Sequence, residues 1–189
     1  MWWDKNYQRP DFRGWLGGVD ATSRSIVVNI AKNYESVLDC ACGICLDWDR
    51  YQKENIKIQY TGLDACNGLV KEACERGINV VEGSIEKIPF KDSSFDIVTA
   101  RHILEHLSDF KKALREMARV ARHEVVVVFF LPPDKENIGT DPRLGSEVHL
   151  NTYSKAKVER LAKQLGSFEW IPVENEVILK IRVNKDKLE

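Results

Sequence analysis

The chain lacks an excess of charge of either sign: 28 lysines and arginines stand against 29 aspartates and glutamates, a formal net charge of -1. Nucleic-acid-binding domains ordinarily carry a basic face, so no nucleic-acid partner is expected. No apolar run is long enough to span a bilayer, and Val125 to Leu131 has the length of a buried strand. The amino terminus, Met-Trp-Trp-Asp-Lys, lacks the basic-then-apolar order of an export signal. A cytoplasmic protein with no membrane partner is therefore expected. Cysteine is scarce and odd in number, five in all, with Cys40, Cys42 and Cys45 crowded into one short stretch. That is not the even set of a secreted disulfide framework. Repeats and low-complexity tracts are also missing. The 189 residues read as one domain with room for a substantial core.

What is present is organised around Ser36-Val37-Leu38-Asp39-Cys40-Ala41-Cys42-Gly43-Ile44-Cys45. An apolar run closes on an acid and is followed by small side chains, which let a backbone approach a ligand closely. Asp47 is placed to cap a short helix through Trp48, Tyr51 and Gln52, aiming amide groups at the same point. Upstream, Asp20 can cap a helix through Lys32. Downstream, Ile56 to Leu63 reads as a second strand ending at Asp64, and Leu69, Val70, Ala73 and Cys74 mark a helix stopped by Gly77. An acid about twenty positions after the small-residue turn is placed to hydrogen-bond a ribose diol. Ile78 to Glu82 is a third strand and Phe95 to Ala100 a fourth. A helix capped near Ser108 or Asp109 runs to Ala121, and Val125 to Leu131 makes a fifth strand that Pro132 ends. Asp134 to Val148 reads as a loop, Ser154 to Gly166 as a helix, and Phe168 to Val183 as a hairpin turning at Glu174-Asn175, before a charged tail expected to fray.

The order is that of a doubly wound, Rossmann-like α/β sheet of about seven strands with the last strand antiparallel, and ligands at the carboxyl ends of its strands. A nicotinamide dinucleotide fits poorly, because the last glycine of its fingerprint would fall on Leu46. The Val37–Cys45 stretch resembles the V-L-D-x-G-x-G-x-G motif of class I S-adenosylmethionine-dependent methyltransferases, with Asp39 and Gly43 matching and Ala41 and Cys45 in place of two glycines. Glu82 to Val98 is similar to that family's G-D-A-E-x-L-P-F-x-D-x-S-F-D-x-V, with Ser84 where the family has an acid, and Arg101 to Leu107 to its x-H-V-L-E-H-V. The likeness covers roughly residues 21 to 183.

The resemblance implies S-adenosyl-L-methionine as cofactor and a small-molecule methyl acceptor. By position it sets Asp39, Ala41, Gly43 and Cys45 near the methionine end, Asp64 with Ala65 at the ribose, Ser84, Ile85 and Glu86 around adenine, and Arg101 and His102 on the floor. His102 is the candidate base or contact residue, whereas His106 and His149 read as structural. Lost glycines and the lost acid leave a second reading open, a catalytically silent binding or partner subunit. No metal is expected: Cys40 should point away from the turn, and cysteine there is a small, buryable substitute for glycine. Residues 1–19 hold Trp2, Trp3, Tyr7, Phe12 and Trp15 with Gly14, Gly17 and Gly18. That much apolar surface must pack somewhere, and a lid over the cofactor pocket is expected, with Arg9 and Arg13 offering charge to the cofactor's carboxylate or to an acidic acceptor; the alternative is that these aromatics cover the outside of the sheet or form a homodimer contact. Residues 20–189 are expected to form the single methyltransferase-like domain.

Overall fold

The computed structural model describes residues 2–9, 21–141 and 148–187. Phe12, Arg13, Trp15 and Asp20 lie outside the described residues, as do Gly14, Gly17 and Gly18. In chain order the elements are α1 (Trp2–Asn6), α2 (Thr22–Ala31), β1 (Ser36–Cys40), α3 (Leu46–Lys53), β2 (Gln59–Asp64), α4 (Asn67–Glu75) and β3 (Val80–Glu82). There follow β4 (Phe95–Arg101), a 3-10 turn at Leu104–His106, α5 (Phe110–Val120), β5 (Ala121–Phe129), α6 (Lys155–Leu165), β6 (Gly166–Val173) and β7 (Glu176–Val183). The seven strands stand in the order β3-β2-β1-β4-β5-β7-β6. All neighbouring pairs from β3 to β5 are parallel, while β7 runs antiparallel to both β5 and β6. The order reverses at β1 and β4, so the carboxyl ends of those strands open a crevice for a ligand.

Alternating burial explains the layers. On one face Leu38, Val98, Val125 and Leu179 pack with Leu114, Met117, Leu161 and Leu165 of α5 and α6. On the other, Val37, Ile97, Val126 and Ile178 pack with Val27, Val28 and Ala31 of α2. Helix starts follow local chemistry where a side chain is in reach: Asp109 accepts from the Lys111 N–H at 3.0 Å, and Ser154 from the Lys157 N–H at 3.4 Å. At the amino ends of the strands, Asp96 accepts from the N–H groups of Glu35 and Ser36 at 3.1 and 3.0 Å, tying β4 to β1. Among the described residues Ile138 is the one exposed large hydrophobic, and no helix is long and apolar enough to cross a membrane.

Several expectations are corrected. α5 passes into β5 without a loop, so the helix stops at Val120 and the strand begins at Ala121. The strand ends at Phe129, because the N–H groups of Phe130 and Leu131 turn out of the ladder to the buried Glu105 carboxylate, at 2.7 and 3.2 Å. Within the stretch read as a loop, Asn137 bridges Thr152 and Thr140 bridges His149. The charged tail is not frayed at Lys185, whose ammonium donates to the Ala118 and Arg119 carbonyls at 3.0 and 3.0 Å.

Candidate functional site

The turn after β1 is the base of the site. Ala41, Gly43 and Cys45 all hold left-handed backbone, with φ of 57°, 56° and 61°. Glycine adopts that conformation freely, whereas each side chain there costs on the order of 1 kcal/mol. The turn persists because its neighbours fix it: Asp64 accepts from the Gly43 N–H at 2.8 Å and from the Cys66 N–H at 2.9 Å. Burial raises the Asp64 pKa, against the pull of those amides. Asp64 thus braces the turn and also lies on the wall of the cavity above it.

That cavity measures about 570 Å³, within the size range of small-molecule sites. Asp39, Ala41, Gly43, Asp64, Ala65, Ser84, Ile85, Glu86, Arg101 and His102, ten positions marked in the sequence, all line it. Cys45 does not. Its side chain is fully buried among Val27, Val37 and Tyr51, and Cys42 takes its place on the wall. The Cys42 and Cys45 sulfurs are 3.7 Å apart, and all five cysteines are free thiols. Cys40 is buried in the other core face, turned away from that pair.

Asp47 is not a cap. The residue before α3 is Cys45, which has no side-chain capping bond, and Asp47 instead forms a buried ion pair with Arg24 of α2. Arg24 lines the cavity and was not marked in the sequence. It sits three, four and seven positions before Val27, Val28 and Ala31, so a charge on a core stripe was the available signal. Burial and the nearby Arg101 lower its pKa to about 10. Asp39 accepts from the Tyr60 hydroxyl at 2.8 Å, yet burial outweighs that bond and raises its pKa to about 6.

Arg101 bonds Ser23 and approaches Glu176 of β7 at 3.4 Å, and its Nε is a buried donor with no partner among the described residues. His102 has left-handed backbone and holds Nε2 2.7 Å from Glu176. Burial alone would raise Glu176, but the bonds from His102 and Ser23 and the charge of Arg101 hold its pKa at about 2. His106 keeps its Nδ1 2.8 Å from the His149 carbonyl oxygen. Ser84 accepts from the Glu86 N–H at 3.2 Å, which shapes the short turn after β3. Of the arginines in the aromatic segment, Arg9 donates to Asn6 at 3.3 Å on the surface.

Residues 38–129 match the model of the methyltransferase domain family. The uncharacterized methyltransferase YcgJ of Bacillus subtilis is 36% identical over 111 residues, 52% of this chain and 42% of that protein. These matches support a class I S-adenosylmethionine-dependent methyltransferase domain over that stretch of the chain. The demethylmenaquinone methyltransferase of Listeria welshimeri is 35% identical over 96 residues, 46% of this chain and 40% of that protein. PH0226 from Pyrococcus horikoshii shares the fold at a TM-score of 0.68 and 19% identity, over 95% of this chain and 94% of that one. The chain spans about two-fifths of the length of the curated relatives it matches. For a methyltransferase site, the residues fit the family's cofactor, S-adenosyl-L-methionine. The left-handed turn after β1, the Arg101 guanidinium, whose Nε has no partner among the described residues, and the Asp64 carboxylate all line the one cavity.

Proposed function

We propose that the domain transfers a methyl group from S-adenosyl-L-methionine to a small-molecule acceptor that enters the same cavity. The observation that carries this is the continuity of the cavity from the cradle after β1 to an apolar wall of Trp3, Leu107, Phe130 and Leu150. Arg24 and Arg101 would receive the cofactor's carboxylate and Asp39 its ammonium group. Asp64 and Ala65 would hold the ribose, with Ser84, Ile85 and Glu86 beside the adenine. When bound, the cofactor supplies an already activated methyl group, so positioning and a proton acceptor suffice. Arg101 and His102, tied to Glu176, keep the floor rigid. The silent-subunit reading is not favoured: Ala41 and Cys45 strain the turn without closing the cavity.

The amino-terminal segment acts as a lid in this reading. Trp3 lines the cavity, and Asp4 accepts from the Asn67 N–H at the start of α4, at 3.0 Å. Tyr7 lies over Gly68, where a Cβ would come within 2.3 Å of its ring. Incubation with methyl-tritiated S-adenosyl-L-methionine and a small-molecule extract tests the function. Label should move into extractable small molecules; label found only in protein or nucleic acid contradicts it.

A further inference from the structure

Two histidines line the cavity, and their hydrogen bonds differ. The Nε2 of His102 lies 2.7 Å from a carboxylate oxygen of Glu176, an ionic contact that crowds that nitrogen without the alignment of a hydrogen bond. The Nδ1 of His106 faces the His149 carbonyl oxygen at 2.8 Å. A carbonyl oxygen only accepts, so Nδ1 carries the proton and the lone pair of the neutral ring is on Nε2. No described residue bonds that Nε2. The groups facing the ring are Asp141, His102 and His149; burial lowers its pKa, His102 and His149 push the same way, and Asp141 and the carbonyl oppose them. Trp3 packs edge-on against the ring at 5.4 Å, and Phe130 lies 5.5 Å from it at a tilt of 35°. Ile103, Leu107 and Leu150 line the same cavity, and Asp141 is the carboxylate that acts on the ring among the described residues.

We propose that His106 is the proton acceptor of the reaction, and that the acceptor is a flat, largely apolar molecule with a phenolic or enolic hydroxyl, seated against Trp3 and Phe130. This rests on the reading of the domain as a small-molecule methyltransferase. As the hydroxyl oxygen takes the methyl group, its proton passes to His106 Nε2, and the electron pair of the broken carbon–sulfur bond stays on sulfur. The positive charge lost from the sulfonium reappears on the imidazole. A neutral amine attacks through its own lone pair and needs no base first, whereas a hydroxyl on an apolar wall does. The carbonyl of His149 fixes the tautomer that makes Nε2 the receiving atom.

Umbelliferone, a flat fluorescent phenol, is the probe, and His106→Asn the variant. The asparagine amide still reaches the His149 carbonyl but offers no base at the Nε2 position. With S-adenosylhomocysteine present, both proteins should bind umbelliferone as the phenol, because its proton leaves only as the methyl group is taken. Turnover of umbelliferone should fall by about 100-fold or more in the variant with little change in KM. A nitrophenol already ionised at the assay pH should be methylated equally by both. An equal loss of turnover with both phenols overturns the proposal. So does methylation of aniline in preference to umbelliferone. Calorimetry separates the two levels. Protein that fails to bind S-adenosylhomocysteine refutes the methyltransferase reading and this inference together. Protein that binds it but neither binds nor methylates umbelliferone refutes the inference alone.

Discussion

The two halves of the sheet are built on opposite terms. In β5 and β7, Val125, Val126, Val127, Ile178, Leu179 and Ile181 are almost wholly buried, and the ladder between the strands runs unbroken from Glu124 to Phe129. At the carboxyl ends of β1, β2 and β4 lie instead a buried Arg24–Asp47 pair, two acids with raised pKa values and residues in left-handed backbone. Buried charge and strained backbone cost stability unless something binds them. The closing half therefore carries the stability, and the opening half keeps polar groups ready for a ligand. Glu105 joins the halves: its carboxylate ends β5 while His106, its neighbour, faces the cavity.

Three variants break or sharpen that comparison. Leu179→Ala removes a fully buried side chain from β7 and should cost about 2–5 kcal/mol in urea unfolding, with S-adenosylhomocysteine affinity unchanged in the folded protein. A loss of affinity equal to the loss of stability would show the halves to be one unit. Asp39→Asn should do the reverse. Burial takes the Asp39 pKa from 3.8 up to about 6, so its protonated form favours the fold. That stability is complete below the unfolded value and is lost as pH rises through the folded value. At pH 7 the ligand-free variant should be more stable by about 3 kcal/mol, with a flatter pH dependence between the two values and weaker cofactor binding. Unfolding curves at several pH values decide it; a destabilised variant would show the carboxylate to be satisfied without ligand. The smallest effect is expected of Gly68→Ala, which should displace Tyr7 and weaken cofactor binding about tenfold, ~1.4 kcal/mol, with the melting temperature held. Unchanged affinity would remove the lid from the account.

Much of this was legible because it is local. Val37 to Cys45 reads as strand and turn from side-chain size alone, and the hairpin from Phe168 to Val183 from its alternation and turn. What was not legible depends on partners far along the chain. Asp47 has the composition of a cap, but Arg24 of α2 claims it. Val125 to Leu131 is uniformly apolar, and only the position of Glu105 shows why pairing stops at Phe129. His102 and His106 are a helical turn apart in sequence with the same chemistry. Glu176, 74 residues beyond the first, and the His149 carbonyl, 43 beyond the second, give them different polar neighbours.

The most direct test of the central claim is titration calorimetry of the protein with S-adenosylhomocysteine and, separately, with NAD, repeated for Asp64→Ala. The account predicts micromolar binding of S-adenosylhomocysteine and none of NAD. Loss of the Asp64 carboxylate should weaken binding by about 1.5–3 kcal/mol, as for hydrogen bonds to a charged group. Tight NAD binding, or an Asp64→Ala protein that binds S-adenosylhomocysteine as the wild type does, would contradict it.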